Sequence, residues 1–335
     1  MSHRLIFGLA VALLAVTPVA AAAQTTLTWT GGAVGGGWDA ISTGVAALLH
    51  DRADLSVRVI PGGGAQNPVL VERGDAQIGL GLPPLLGAAA RGEEPYRGRT
   101  LAGLRAIAGN MSLNVLHFYA AADSPFARMT LTDIFRGRKP IRLAIPKPGT
   151  SDVWVLEKMM EFYELCPPGR TAECYRSWES AGAKLVRGSY ADQAEAFKSH
   201  KVDAAFAILA LPAAAVVDAA SGRALTLLPC AEPLIAHLAT FGFGRGEIPA
   251  GSYPKATNGG ERIASATMGT TIVVSASMPD EVAYTITKTI NDNADRFRRL
   301  HPSLADYDPA QAWLNLGVAL HPGAERYYRE KGWLQ

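Results

Sequence analysis

Leu27-Thr28-Trp29-Thr30-Gly31-Gly32-Ala33-Val34-Gly35-Gly36-Gly37-Trp38 runs from an apolar, β-branched stretch through a glycine-rich turn into Trp38–His50. In that last segment Ile41, Val45, Leu48 and Leu49 fall on one helical face. A buried strand, a turn that brings backbone N–H groups close together, and a helix start form one unit of an α/β layer. Glycines at such a turn let a ligand approach the main chain, and a helix N-terminus favours negative charge. The same unit recurs at Ile141–Ile145, Pro146–Thr150 and Asp152–Tyr163. A third turn, Pro61-Gly62-Gly63-Gly64-Ala65-Gln66-Asn67, follows the strand Ser56–Ile60. Here Asn67 is a candidate either for ligand contact or for helix capping. Thr150 and Ser151 offer hydroxyls for a carboxylate or, again, a cap.

Strands and helices alternate along the rest of the chain. Further strands are predicted at Ala76–Leu80, Leu104–Ala108, Val115–Tyr119, Ala183–Val186, Ala204–Ala207, Ala224–Leu228 and Thr270–Val274. A long helical run is predicted over Pro279–Leu300. The pattern implies mostly parallel sheets with helices on both faces. Two glycine turns of one kind, far apart in the chain, imply two lobes. The stretches Asn114–Tyr119 and Ala264–Val274 read as strands crossing between them. The expected division is lobe one at 24–117 plus 270–335, and lobe two at 118–269.

Length and composition agree with this size of fold. The chain has 335 residues, of which 48% are hydrophobic and 19% charged, enough to bury a sizeable core. A net charge of +2 argues against bulk nucleic-acid binding, which needs a basic surface. The mean hydropathy of +0.09 is raised by the N-terminus. There, a basic start (Met1–Arg4), an apolar run (Leu5–Val16) and Ala21-x-Ala23 form the three parts of a secretory signal peptide over residues 1–23. The run is short for a spanning helix, which needs ~20 apolar residues. An exported protein is expected, located in the periplasm. Cys166 and Cys174 flank a Pro-Pro-Gly turn and are a candidate disulfide, with unpaired thiols as the alternative; Cys230 is left over.

Enzymatic readings find little support. The glycine spacing of Gly32–Gly37 does not fit the dinucleotide fingerprint G-x-G-x-x-G, and G-x-x-x-x-G-K-[ST] is absent. No Cys/His cluster or H-E-x-x-H supports a metal site. The histidines have no spaced partner, and neither Thr150 nor Ser151 has an identifiable base, so no catalytic residue is expected. No cofactor is expected either.

Several segments together resemble the TAXI family of extracytoplasmic solute-binding proteins, which serve TRAP-type tripartite transporters. Leu320-His321-Pro322-Gly323-Ala324-Glu325-Arg326-Tyr327-Tyr328-Arg329-Glu330-Lys331-Gly332 is similar to that family's LHPGA-x-x-YYRE-x-G ending. Gly31–Trp38, Pro61–Asn67 with Gly74–Gln77, Lys198–Ala205 and Ile248–Pro254 resemble other family segments. The resemblance implies a type II periplasmic-binding fold, with two α/β lobes closing on a small ligand. It places ligand contacts at Gly35, Gly36, Gly37, Trp38, Gly63, Gly64, Gln66, Asn67, Thr150, Ser151, Leu211 and Pro212. The implied ligand is a small organic anion such as a dicarboxylate, oxo-acid or amino acid. The implied partners are TRAP permease subunits in the inner membrane, with the binding protein a monomer. His321, Tyr327 and Tyr328 read as packing residues. Arg58, Arg73 and Arg105 read as surface charges, any one of which could pair a carboxylate. An enzyme or a ligand-sensing module on the same two-lobed fold is the alternative reading.

Overall fold

The computed structural model describes residues 26–32, 36–148 and 150–335. The expected signal peptide, and Gly35 among the expected contacts, lie outside them. The first part of the chain forms β1 (Leu27–Thr30), α1 (Gly37–Ala53), β2 (Val57–Ile60), α2 (Asn67–Glu72), β3 (Ile78–Gly81), α3 (Pro83–Arg91) and β4 (Leu104–Ala108). The middle forms β5 (Asn114–Ala121), α4 (Leu131–Arg136), β6 (Arg142–Pro146), α5 (Ser151–Phe162), α6 (Thr171–Ser180), β7 (Lys184–Gly188), α7 (Tyr190–Lys198), β8 (Ala204–Ala210), α8 (Ala214–Gly222), β9 (Leu225–Leu227), α9 (Glu232–Ala239), β10 (Gly244–Ile248) and β11 (Ile263–Met268). The chain ends with β12 (Thr271–Ser275), α10 (Asp280–Asp292), α11 (Ala294–Arg298) and α12 (Pro322–Glu330).

Two sheets divide these strands. The first is five-stranded, in the order β2-β1-β3-β12-β4. The second is seven-stranded, in the order β10-β11-β5-β8-β6-β7, with β9 beside β5. In the first sheet β1, β2 and β3 are parallel, and β12 runs against both neighbours. In the second only β6, β7 and β8 are parallel, while β5, β9, β10 and β11 pair antiparallel. The expectation of mostly parallel sheets therefore does not hold: two of four strand pairings are parallel in the first sheet and two of six in the second. The reason the second sheet reads as parallel is burial on both faces. All eight residues of β5 are buried. Leu116, Phe118 and Ala120 enter one core, and Val115, Tyr119 and Ala121 the other. A strand covered on both sides reads as a continuous apolar run, whatever its partner's direction.

The chain passes from the first sheet to the second between Ala108 and Asn114, and returns between Met268 and Thr271. The expected crossing strand Asn114–Tyr119 belongs wholly to the second sheet, so the expected limit at residue 117 falls inside β5. The expected stretch Ala264–Val274 breaks at Gly269-Thr270 into two strands of different sheets. The two crossings are bonded to each other. Asn114 Nδ2 donates to Thr270 Oγ1 at 2.9 Å, the Ser112 and Thr270 hydroxyls are 2.9 Å apart, and the Met111 N–H reaches the Thr270 carbonyl at 3.3 Å.

The long helical run divides at Asn293 into α10 and α11. Asn293 Nδ2 bonds the Thr289 carbonyl at 2.8 Å, a local bond that competes with the helical ladder. Cys166 and Cys174 are joined as a disulfide, with a Cα–Cα distance of 4.7 Å. Cys174 lies in α6, a helix the turn-rich sequence around it concealed. Cys230 is buried, and burial pushes its thiol up to about 11.

Candidate functional site

In an open parallel sheet, ligands bind beyond the carboxyl ends of the strands. The first sheet delivers Thr30, Ile60 and Gly81 to one edge, and the second delivers Pro146, Gly188 and Ala210 to one edge. All three glycine-bearing turns, and Leu211-Pro212, follow directly from these ends. The two edges touch. A β-carbon added to Gly64 would lie 3.1 Å from the Ser151 β-carbon and 2.9 Å from Leu82 Cδ1. Gly64 follows a strand of the first sheet and Ser151 a strand of the second, so the contact bridges the two edges. On a second line of contact, a β-carbon on Gly242 would lie 3.7 Å from Pro84 Cα. Leu82 and Leu85 of the first lobe are buried in the same core as Trp154 and Phe243 of the second. Trp38, expected either to stack on a ligand or to pack, is packed against the cores of both lobes.

Asn67 has a role that its sequence position did not disclose. It is fully buried. Its Nδ2 donates to the Gly31 carbonyl at 2.8 Å and the Leu80 carbonyl at 2.7 Å. Its Oδ1 accepts from the Gly63 N–H at 2.9 Å and the Thr30 hydroxyl at 2.8 Å. One amide thus ties the ends of β1 and β3 to the third glycine turn. The polar atoms of its side chain are all bonded inside the lobe, so the amide holds these chain ends together. It is not the helix cap, since Gln66 stands there without a side-chain cap bond. Gly62 completes the arrangement, because a β-carbon there would lie 2.1 Å from Asn67 Oδ1. Gln66 is exposed, and a β-carbon at Gly63 would meet open space. Gly36 precedes α1 in extended conformation, and Gly37 lies against the imidazole of His301.

On the second lobe, Thr150 caps α5: its hydroxyl accepts from the Val153 N–H at 3.4 Å and donates to the Lys147 carbonyl at 3.0 Å. The Ser151 hydroxyl donates to Asp152 Oδ2 at 3.2 Å. Asp152 is buried, takes the Ile208 N–H at 2.6 Å, and receives the Tyr190 hydroxyl at 3.2 Å. Burial pushes its carboxyl up to about 6 against those hydrogen bonds. Sequence reading passed over Asp152 because an acidic residue in a helix's first turn is ordinary; only its burial marks it. The residue joins α5, α7 and β8 behind the cleft.

The Leu211-Pro212 peptide is cis, with Leu211 half-buried and Pro212 exposed. The turn is anchored by the next residue, whose N–H (Ala213) donates to the Tyr253 hydroxyl at 2.9 Å. The Tyr253 oxygen is 2.7 Å from His117 Nε2, and His117 Nδ1 is 2.8 Å from the Val115 carbonyl. A carbonyl only accepts, so Nδ1 carries the proton and Nε2 accepts from Tyr253. Burial lowers His117 to about 4. The neutral form is favoured, so this contribution to stability is present above the unfolded value near 6.5 and is lost as pH falls toward 4. Compared by thermal or urea denaturation, the stability gap between the wild type and His117→Gln narrows by ~2–3 kcal/mol between pH 7.5 and 4.5.

Arg58 reaches the Thr28 hydroxyl, Arg73 pairs with Asp75, and Arg105 bonds the Ala102 and Leu104 carbonyls. The C-terminal motif packs on the first lobe. His321 caps α12 and bonds the Met278 carbonyl, and the Tyr328 hydroxyl bonds the Ile107 carbonyl at 2.9 Å.

The fold is shared with MatC of Rhodopseudomonas palustris, solved with bound malate. The two are 14% identical over 92% of this chain and 97% of that one, with a TM-score of 0.54. An R. palustris protein with adipate is also similar (14% identity, 83% and 87% covered, TM-score 0.49), as is the periplasmic binding protein BugD (15%, 92% and 95%, 0.49). The two-lobed α/β architecture read from the sequence is thus the observed one. The model of the NMT1-like family matches residues 29–332, from the first buried strand to the C-terminal motif, and the chain belongs to that family.

Proposed function

We propose that the chain is an extracytoplasmic solute-binding protein of the TAXI type, which captures a small organic anion between its lobes and delivers it to a TRAP permease. The carrying observation is the meeting of Gly64 and Ser151, turn residues of different lobes, at the carboxyl ends of two parallel strand sets. Closure of this kind buries a ligand among N–H donors, hydroxyls and helix starts, and stabilises the closed state by the ligand's differential affinity. The malate bound to MatC is in keeping with an organic acid. Thr150, Ser151, Gly36 and the Leu211-Pro212 turn are the contacts we assign. Among the described residues no helix is long and apolar enough to cross a membrane, so the permease is a separate chain in this reading. Residues 1–23 direct export and are removed, leaving Gln24 first in the periplasmic protein.

Thermal denaturation against a panel of organic acids and amino acids tests the proposal. A ligand at ~100 times its Kd adds ~2.7 kcal/mol of stability, a rise in melting temperature of ~5 °C or more. A flat panel across both classes sinks the reading. Uptake by vesicles carrying the permease alone, undiminished without the binding protein, sinks the transport assignment.

A further inference from the structure

We propose that the ligand is a monocarboxylate with an apolar or aromatic substituent, its acceptor atoms met by the indole N–H groups of Trp154 and Trp38. The inference rests on the solute-binding reading and narrows its substrate class. Trp154 is 4% exposed, and its Nε1 has no hydrogen-bond partner. Trp38 Nε1 is likewise buried and unpartnered. A buried indole N–H ordinarily finds an acceptor. Trp29 lacks one too, but it lies in β1 within the first lobe's core. The other two stand in the opening turns of the helices behind the glycine turns, α1 and α5.

Trp154 comes three residues after Ser151 in α5, so the two share a helix face. A helical side chain leans toward the N-terminus, which carries the Trp154 ring toward Ser151 and its contact with Gly64. Ser151, at the lobe contact, and Trp154, whose buried donor is unpaired, thus lie one turn apart on the same face of this twelve-residue helix. The walls beside it are apolar. Trp154 packs on Phe241 and Phe243 with ring centroids 5.8 and 6.2 Å apart, and Leu82 and Leu85 enter the same core from the first lobe.

Charge argues against a second carboxylate. None of Trp38, Leu82, Leu85, Ser151, Trp154 and Phe243 is cationic; Lys158, whose Nζ lies 5.5 Å over the Phe241 ring, is paired with Glu161 at 2.8 Å, and Arg58, Arg73 and Arg105 are engaged elsewhere. Lys147 is exposed on the turn before α5. Asp152, buried one residue from Ser151, would repel an additional negative group. One carboxylate at the helix start is matched by N–H groups and hydroxyls; two are not.

Titration calorimetry at pH 7.5 with phenylpyruvate, 4-methyl-2-oxopentanoate, succinate and 2-oxoglutarate decides the matter. The two monocarboxylates are expected to bind at least ~10-fold more tightly than the dicarboxylates. Trp154→Phe keeps an aromatic six-membered ring and removes the N–H with the rest of the indole, and is expected to weaken monocarboxylate binding ~10-fold while the unliganded melting temperature falls by about 2–6 °C. Should that variant not fold, Trp38→Phe carries the same expectation. Equal or tighter binding of a dicarboxylate overturns the inference and leaves the solute-binding reading standing. Binding of another solute class alone does the same. Unaltered affinity in a folded indole-to-phenyl variant overturns the donor role. No binding by any solute overturns the reading beneath.

Discussion

Gly64→Leu is expected to lower ligand affinity ~100-fold, while the unliganded protein melts within ~2 °C of the wild type. At this position a β-carbon would come within 3.1 Å of the Ser151 β-carbon, in the opposite lobe. Real β-carbon contacts of that length require the neighbour to move. Its other close neighbour, Leu82 Cδ1 at 2.9 Å, is the far end of a buried side chain in its own lobe, and shifting it costs ~1 kcal/mol. Ser151 opens α5 and is bonded to Asp152, which is bonded in turn to Ile208 and Tyr190, so that side cannot yield without disturbing three elements. The penalty therefore falls on the closed state, where overpacking costs ~1–3 kcal/mol and sometimes more. Titration calorimetry reads the affinity, and small-angle scattering reads whether ligand still compacts the chain. Wild-type affinity in this variant would mean that the lobes close on their ligand without this contact.

Asn67→Ala is expected to lower stability by ~4 kcal/mol, a fall in melting temperature of ~10 °C. The substitution leaves the Gly31 and Leu80 carbonyls and the Gly63 N–H without their partner in a fully buried site. A buried group stripped of its partner costs ~1–3 kcal/mol. Asn67→Asp is expected to be worse. It keeps the acceptor toward Gly63 and Thr30 but turns a carboxylate oxygen toward two carbonyls, a buried charge with no compensation. A fall of under ~1 kcal/mol in both variants, measured by urea denaturation, would show the strand ends held by other bonds.

The strand–turn–helix units were legible because each is local. Glycines after a short apolar run, followed by a 3.6-residue apolar period, leave few other structures for the segment from Leu27 to Ala53. The turns' destination at two facing sheet edges was legible as well, from their recurrence. The tasks of Asn67 and Asp152 were not, because their partners lie 13 to 56 positions away at Leu80, Gly31 and Ile208. No spacing rule connects such pairs. The Tyr253 hydroxyl was hidden for the same reason: it stands in a proline- and glycine-rich stretch, yet it anchors Ala213 and His117. Antiparallel pairing in the second sheet escaped notice because burial on both faces erases alternation. The boundary between lobes was misplaced because β5 looks like a crossing strand when the crossing is the irregular segment before it.

The bonds among Ser112, Asn114 and Thr270 bear on kinetics. Two chain passages joined side by side resist twisting independently, so the proposed opening of the lobes is expected to have a single soft coordinate in place of two. Relaxation after a jump in ligand concentration is then one exponential, with a rate that belongs to the whole molecule. Thr270→Val removes both hydroxyl bonds and leaves the Met111–Thr270 main-chain bond, and with the passages so loosened the same jump is expected to acquire a second phase.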